Sequence, residues 1–155
     1  MKKILFAASE SVPFIKTGGL ADVVGPLPKY FDKEKYDVRV MLPKYMCMKD
    51  EWKEKLQYHT HFYMDLNWRK QYVGVLEMEY DGIKFYFIDN EYYFNGYAPY
   101  GDMYADIEKF AFFSKAVLSA LPLIDFRPDI IHCHDWQTGL VPIYLDNFRY
   151  GNEFY

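Results

Sequence analysis

Apolar and polar positions along the chain predict strands that alternate with helices. Three short apolar runs, each bounded by polar residues or proline, are typical of strands buried in a sheet. These runs span residues 3–8, 38–42 and 130–133. Apolar residues at helical spacing predict four helices, at residues 19–24, 26–31, 104–121 and 136–148. This order is typical of a parallel sheet covered by helices.

The middle of the chain has a different pattern. Apolar and polar residues alternate from Tyr72 to Tyr80, and a second apolar run covers Ile83 to Ile88. The Asp81-Gly82 pair between the two runs is a strong signal for a β-hairpin. We therefore predict an α/β fold: a Rossmann-like, mostly parallel sheet with helices on both faces and an antiparallel hairpin excursion.

Length and charge exclude several classes of protein. The 155 residues fit one domain, and the net charge of -4 provides no broad basic field for nucleic acid or an anionic membrane. No stretch approaches the ~20 apolar residues that span a bilayer, and Ser9-Glu10 interrupts the first apolar run too early for a signal peptide. Two cysteines are too few for a disulfide framework. We predict a cytoplasmic protein.

Aromatic residues make up 21% of the chain, including 16 Tyr and 13 Phe. Sugars stack on aromatic faces, so this composition fits a carbohydrate partner. It fits equally a core that is filled with Phe and Tyr, and composition alone favours this second interpretation.

Two polar loops follow predicted strands, at residues 9–22 and 132–140. Ligands of doubly wound sheets lie beyond the carboxyl ends of the strands. If the first and last strands are central and parallel, both loops face one crevice.

The first loop carries the components of an anion site. It lacks the dinucleotide fingerprint, and it is no P-loop because Lys16 precedes the glycines. Gly18 and Gly19 allow close backbone approach, the following helix presents free N–H groups, and Lys16 adds positive charge. A diphosphate fits this arrangement. On physical grounds alone, an ordinary strand-to-helix connection with a solvated lysine is favoured.

The same loop resembles a known family. The residues from Ile4 to Glu10, then Pro13-Phe14 and Lys16 through Gly25, are similar to the N-terminus of bacterial glycogen synthases and plant starch synthases. The signature of that family is Lys-Thr-Gly-Gly-Leu, here at residues 16–20. Similarity continues in order at residues 27–28, 38–40, 42–43, 100–102, 104–106, 110–113, 128–132 and 134–140. Ile107 and Pro26 depart from the family's usual asparagine and small residue.

The resemblance implies a two-domain glycosyltransferase of the GT-B type. Such an enzyme transfers glucose from ADP-glucose to the non-reducing 4-OH of an α-1,4-glucan, with retention of configuration and without a cofactor. Residues 1–155 would be part of its N-terminal Rossmann-like domain, truncated before the C-terminal nucleotide-binding domain. We expect this part alone to be inactive and to hold no catalytic residue. Apolar surface left uncovered would favour self-association.

The resemblance also assigns substrate-binding residues. Lys16 would contact the diphosphate or nucleotide side of the donor, and the two glycines would lie against the phosphates or the transferred glucose. The full set that would line the donor and acceptor cleft is Lys16, Gly18, Gly19, Asp22, Glu10, Tyr100 and Asp135. Asp22 also suits a helix start, and Asp135 also suits a brace for its own loop.

Two further groups of residues invite other chemistry. His132, Cys133 and His134 suggest a zinc site. Neighbouring strand residues point to opposite faces, however, and the sequence has no second Cys/His cluster. We therefore predict no metal site and favour a packing role for His134. Three acidic residues suggest paired carboxylates for glycoside hydrolysis. For these residues capping and solvated-face roles are favoured: Asp102, Asp106 and Glu108.

Two alternative functions remain open. The chain could be a stand-alone module that binds glucan or nucleotide without catalysis. It could also belong to a related glycosyltransferase that uses another sugar nucleotide, since the second domain largely selects the nucleotide.

Overall fold

The sheet has six strands in the order β3-β4-β5-β2-β1-β6. The structure is a computed structural model, and it describes all of residues 1–155. The strands are β1 Lys2–Ala7, β2 Tyr36–Pro43, β3 Gln57–Leu66, β4 Arg69–Tyr80, β5 Ile83–Asp89 and β6 Ile130–Cys133. The helices are α1 Gly19–Val24, α2 Asp50–Lys53, α3 Met103–Ala120 and α4 Val141–Phe148, with short 3₁₀ helices at Leu27–Tyr30 and Trp136–Thr138.

The parallel part of the sheet consists of β5, β2, β1 and β6. β1 is an interior strand between β2 and β6, and Leu5, Phe6 and Ala7 are fully buried within it. An apolar run with no polar alternation fits this position because helices or loops cover both of its faces. The predicted strands are confirmed.

The antiparallel part forms from the middle of the chain. β4 and β5 are joined by Asp81 and Gly82, which both have positive φ, 53° and 76°, as a tight turn matching the strand twist requires. The predicted hairpin is confirmed. β3 pairs with β4 as an outer antiparallel strand that the sequence pattern did not delimit.

Helices cover both faces of the sheet, as predicted. On one face, the Phe31 ring after the first 3₁₀ helix packs edge-on against Phe6 of β1. On the other face, α3 packs on the sheet, and its Ser119 hydroxyl contacts the sulfur of Met64 in β3. No helix combines the length and the apolar character needed to cross a membrane.

The predicted helix at residues 136–148 is wrong in one respect, because it is broken into two. A 3₁₀ turn ends at Thr138, and α4 begins at Val141 with Pro142 in its first turn. Proline inside a continuous helix would lose a hydrogen bond and clash with the preceding turn, but it is tolerated at a helix start. Likewise, the short helix predicted at residues 26–31 is a 3₁₀ helix at Leu27–Tyr30.

Gly25 fixes the first polar loop against α1. A Cβ atom at this position would lie 2.5 Å from the Val12 side chain and 2.6 Å from its carbonyl oxygen. The Val12 N–H donates to the carbonyl of Ala21, at 3.1 Å. Only glycine permits this approach, so the loop before α1 is held by the end of the same helix.

Candidate functional site

The two polar loops leave neighbouring strands at the same edge of the sheet. β1 and β6 are parallel and adjacent, with Ala7 opposite Cys133. The His134 N–H extends this pairing by donating to the Ala7 carbonyl at 3.1 Å. The loops therefore begin side by side, as predicted, although β6 is an edge strand of this sheet and not a central one.

Glu10 is a buried carboxylate that holds the glycine loop in place. Its side chain is 2% exposed, and one oxygen, Oε2, accepts from both the backbone N–H (2.9 Å) and the hydroxyl (2.6 Å) of Thr17. Its other oxygen, Oε1, lies 4.0 Å from the place where a Gly18 Cβ would stand. Charge-assisted hydrogen bonds of this kind are strong, so Glu10 fixes the backbone directly between Lys16 and Gly18.

Lys16 and Asp22 form an exposed ion pair. The Lys16 ammonium lies 2.8 Å from one Asp22 carboxylate oxygen and 3.0 Å from the other. Both side chains are about half exposed, so the pair adds little to stability. The pair instead fixes the position of Lys16, because Asp22 lies in the first turn of α1 and holds the Lys16 ammonium near the helix start.

Gly18 and Gly19 leave the start of α1 open. No side chain caps the helix, and a Cβ at Gly19 would meet nothing within 4 Å. The first N–H groups of a helix have no partner within it, so those of α1 remain available in the same loop as Lys16. The arrangement can bind an oxyanion group, such as a phosphate, through backbone donors and one positive charge.

Tyr100 reaches this site from the loop before α3. Its hydroxyl lies 2.6 Å from the Ser9 hydroxyl, and Tyr45 donates to the Ser9 carbonyl at 2.7 Å. Burial is the main cause that raises the pKa of Tyr100, and the charges of Glu10 and Asp135 raise it further. Tyr100 is therefore a neutral hydroxyl that lies in the field of both carboxylates.

Asp135 follows β6 in a strained backbone conformation, with φ of 63°. Its carboxylate Oδ1 accepts from the Trp136 N–H at 2.7 Å, which caps the 3₁₀ helix. It therefore braces its own loop, and its side chain is exposed on the same edge as Glu10 and Tyr100. A non-glycine residue at positive φ costs energy that the surrounding structure must offset, and such strain concentrates at functional sites.

His134 is packed at the end of β6. It is 8% exposed, its ring lies 5.2 Å from that of Phe6, and its Nε2 has no hydrogen-bond partner. His132 lies on the same face, with a ring-to-ring distance of 4.1 Å. The described residues include no group of three or more His, Cys, Asp or Glu that could hold a metal ion.

The buried His134 makes stability depend on pH. Burial first, and His132 second, lower its pKa from 6.5 to about 4. Because the folded state resists protonation of His134, the neutral His134 ring is compatible with full stability of the fold above pH 6.5. This contribution of His134 to stability is lost as the pH falls towards 4. We expect the free energy of unfolding to drop by about 2 kcal/mol from this group between pH 7 and pH 5. Urea unfolding at both pH values measures the drop.

Two variants test the assignment to His134. In His134→Phe, which keeps an aromatic ring beside Phe6, this part of the pH dependence should disappear. His132→Asn removes only the smaller cause of the lowered His134 pKa, the neighbouring imidazole, so most of the dependence of stability on pH should remain. An unchanged difference between pH 7 and pH 5 in His134→Phe would assign the effect to other groups.

The three acidic residues around α3 have structural partners. Asp102 caps α3 by accepting from the Ala105 N–H at 3.1 Å, as expected. The solvated-face expectation is wrong for Asp106, which is 5% exposed, pairs with Lys109 and accepts from the Gly101 N–H. Glu108 is bound by Arg69 and by Tyr93. Asp106 thus fixes the segment that follows Tyr100.

A cavity of about 440 Å³ lies away from these residues, between β6, α4 and the last residues of the chain. Its lining includes Ile131, Cys133, Val141 and Tyr155 but none of the seven predicted site residues. The candidate site is instead an open edge. An open edge of this kind encloses little volume.

Sequence reasoning missed three residues that build the site: Ser9, Thr17 and Tyr45. Ser9 and Thr17 lie in the two stretches that resemble the family, residues 4–10 and 16–25, but look like ordinary loop residues. Their roles depend on partners 91 and 7 residues away, Tyr100 and Glu10. No local pattern marks Tyr45, whose buried hydroxyl donates to the backbone at Ser9 across 36 residues.

The fold and the site together define a Rossmann-like α/β domain with a glycine loop and an adjacent lysine at the carboxyl edge of its sheet. Comparison with known proteins specifies the family. The chain belongs to the starch synthase catalytic domain family, whose model matches residues 3–155.

Glycogen synthases are among its relatives. The chain is 70% identical over its whole length to the glycogen synthase of Lachnoclostridium phytofermentans and 52% identical over 99% of its length to that of Desulforamulus reducens. In both cases it spans 32% of the relative, so the chain covers about a third of the length of these proteins. The resemblance that the motifs indicated is confirmed.

A solved structure supports the same assignment. The chain is similar to the catalytic domain of starch synthase IV from Arabidopsis thaliana bound to ADP and acarbose, with a TM-score of 0.74 and 31% identity. The match covers 94% of this chain and 30% of that one. The α/β fold with its mostly parallel sheet is therefore that of a starch synthase domain.

Proposed function

We propose that the polypeptide containing this chain transfers glucose from ADP-glucose to the non-reducing end of an α-1,4-glucan. In this reaction the bond between glucose C1 and the diphosphate breaks and ADP leaves, while C1 bonds to the 4-oxygen of the acceptor with retention of configuration and the 4-hydroxyl releases its proton. Residues 1–155 would form part of the N-terminal Rossmann-like domain of a GT-B enzyme in the cytoplasm. The catalytic groups would then come from the remainder of the polypeptide.

The observation that carries the proposal is the Lys16 ammonium beside the open start of α1, next to two glycines. A diphosphate needs several N–H donors and a positive charge at close range, and this loop supplies both. Membership of the starch synthase family and the ADP and acarbose bound to the Arabidopsis relative support the choice of ligands.

The other predicted residues take roles in this scheme. Glu10 positions the glycine loop, and Asp22 holds Lys16 until a diphosphate competes for it. Tyr100 and Asp135, on the same edge, would offer a hydroxyl and a carboxylate to sugar hydroxyl groups. Self-association of the isolated chain through apolar surface near β6, where Ile130 is half exposed, stays a prediction.

Glucose transfer by the whole polypeptide tests the proposal. Labelled ADP-glucose and maltotriose should give labelled maltotetraose with an α-linkage, whereas residues 1–155 alone should give none. UDP-glucose serves as the matched donor control. No transfer from ADP-glucose would overturn the proposal, and a clear preference for UDP-glucose would favour a related glycosyltransferase. Tight binding of maltooligosaccharide by residues 1–155 alone would favour a stand-alone module.

A further inference from the structure

Exposed aromatic side chains cluster on the outer hairpin of β3 and β4, away from the candidate site. Tyr58, Tyr63 and Tyr72 are 61%, 63% and 36% exposed, and His61 is also exposed. Tyr63 lies opposite Tyr72 across the two strands, so their side chains share a face of the sheet. We call these four residues the aromatic platform: Tyr58, His61, Tyr63 and Tyr72.

The rings of the platform are held by one another. The rings of His61 and Tyr72 are nearly parallel, at 24°, with centroids 5.6 Å apart. Tyr63 meets Tyr72 edge-on at 5.8 Å, and the Tyr58 hydroxyl is hydrogen-bonded to Nδ1 of His61. Ring pairs at these distances are mutually favourable, so the surface exists before any ligand binds.

Gly74 lets the Tyr72 ring lie down on the sheet. A Cβ at Gly74 would stand 3.0 Å from the Tyr72 hydroxyl oxygen and 3.1 Å from its Cε1. With any larger residue the ring would have to tilt away from the strand. Glycine is unfavourable inside a strand and often marks a place where another group approaches the backbone closely. Here that group is the Tyr72 side chain, which is 36% exposed.

Hydrogen-bonding groups border the platform. Asp89 lies beside Gly74, with its Cβ 3.1 Å from the same position, and pairs with Lys44 at 3.8 Å. Burial first, and then the Asp89 charge, raise the pKa of Tyr72, so its hydroxyl is neutral. The border thus offers a carboxylate that is paired with an ammonium, and neutral hydroxyl groups.

This combination selects the chemistry of the occupant. Every platform side chain has a flat ring and a polar tip, and none is aliphatic. A sugar ring is complementary, because it has an apolar C–H face and a rim of hydroxyl groups, and it carries no charge. Aromatic surfaces with a few placed polar groups are typical of small-molecule sites, and a contiguous exposed cluster is unusual without a partner.

We propose that the aromatic platform binds an α-1,4-glucan chain at a site separate from the cleft. The kind of sugar rests on the proposed function. Gly74 pairs with Asp89 at the carboxyl end of β5, so the platform lies at the same end of the sheet as Lys16. The loop that carries Lys16 follows β1, and four strand spacings, about 19 Å, separate β1 from β3 of the platform. One glucan chain can bridge this distance.

Affinity electrophoresis of the whole polypeptide in gels that contain glycogen tests the platform. The double variant Tyr63→Ala/Tyr72→Ala should bind glycogen about tenfold more weakly, since two ring contacts are lost. Tyr63→Phe/Tyr72→Phe keeps the ring faces and should retain most of the binding. Tyr30→Ala is the matched control, because Tyr30 is 84% exposed on the first 3₁₀ helix. Thermal unfolding establishes that each variant is folded.

The outcomes separate this inference from the proposed function. If a folded alanine double variant binds glycogen like the parent protein, the platform is not a glucan site. If it changes only the oligomeric state in light scattering, the platform is a contact between copies and the inference is also overturned. If glucose transfer is absent but glycogen binding still depends on Tyr63 and Tyr72, the proposed function fails while the platform stands.

Discussion

Replacing Lys16 by alanine in the whole polypeptide is expected to lower kcat/KM for ADP-glucose about 100-fold. The ammonium is held by Asp22 at 2.8 Å beside the open start of α1, where the proposed diphosphate binds. A charge-assisted contact to a phosphate is lost in the variant, and Asp22 is left to repel the incoming anion. Steady-state kinetics with varied ADP-glucose measures the effect.

Lys35→Ala is the matched control for this prediction. Lys35 also forms an exposed ion pair with an aspartate, at 3.3 Å from Asp32, but it lies before β2, at the other end of the sheet. Its loss should leave ADP-glucose use unchanged. If Lys16→Ala and Lys35→Ala give the same kinetics as the unaltered polypeptide, Lys16 does not contact the donor.

Removing the Glu10 side chain is expected to lower kcat/KM about 30-fold without any direct contact to substrate. In Glu10→Ala both donors of Thr17 lose their common acceptor, so the backbone between Lys16 and Gly18 is no longer fixed. A small displacement of binding groups costs this much when a reaction depends on orientation. Kinetics with ADP-glucose at a saturating glucan concentration gives the value.

Glu10→Gln distinguishes positioning from charge. The amide oxygen of glutamine can accept both Thr17 hydrogen bonds, so this variant should lose no more than about fivefold. Glu34→Ala removes an exposed carboxylate elsewhere and serves as the control. Equal losses in Glu10→Ala and Glu10→Gln would show that the charge itself acts on the substrate and would contradict the positioning role.

In the first polar loop, the motif predicted some features of the site, and only the structure revealed the others. The motif indicated that Lys16, Gly18 and Gly19 belong to one site, because its residues are contiguous in sequence. It did not indicate that Glu10 points back onto Thr17 or that Asp22 pairs with Lys16. Those contacts depend on the path of the loop, which the close approach of Gly25 to Val12 constrains.

The strands of the parallel core, the Asp81-Gly82 hairpin and the family could be predicted from the residues alone, because periodicity, turn chemistry and short motifs are local properties. The pairing of β6 with β1 and the contact of Tyr100 with Ser9 across 91 residues became visible only in the three-dimensional structure. The same holds for the position of Tyr72 near Gly74 and opposite Tyr63. Strand order and loop path set such meetings, and they follow from the packing of the whole sheet, which no local pattern encodes.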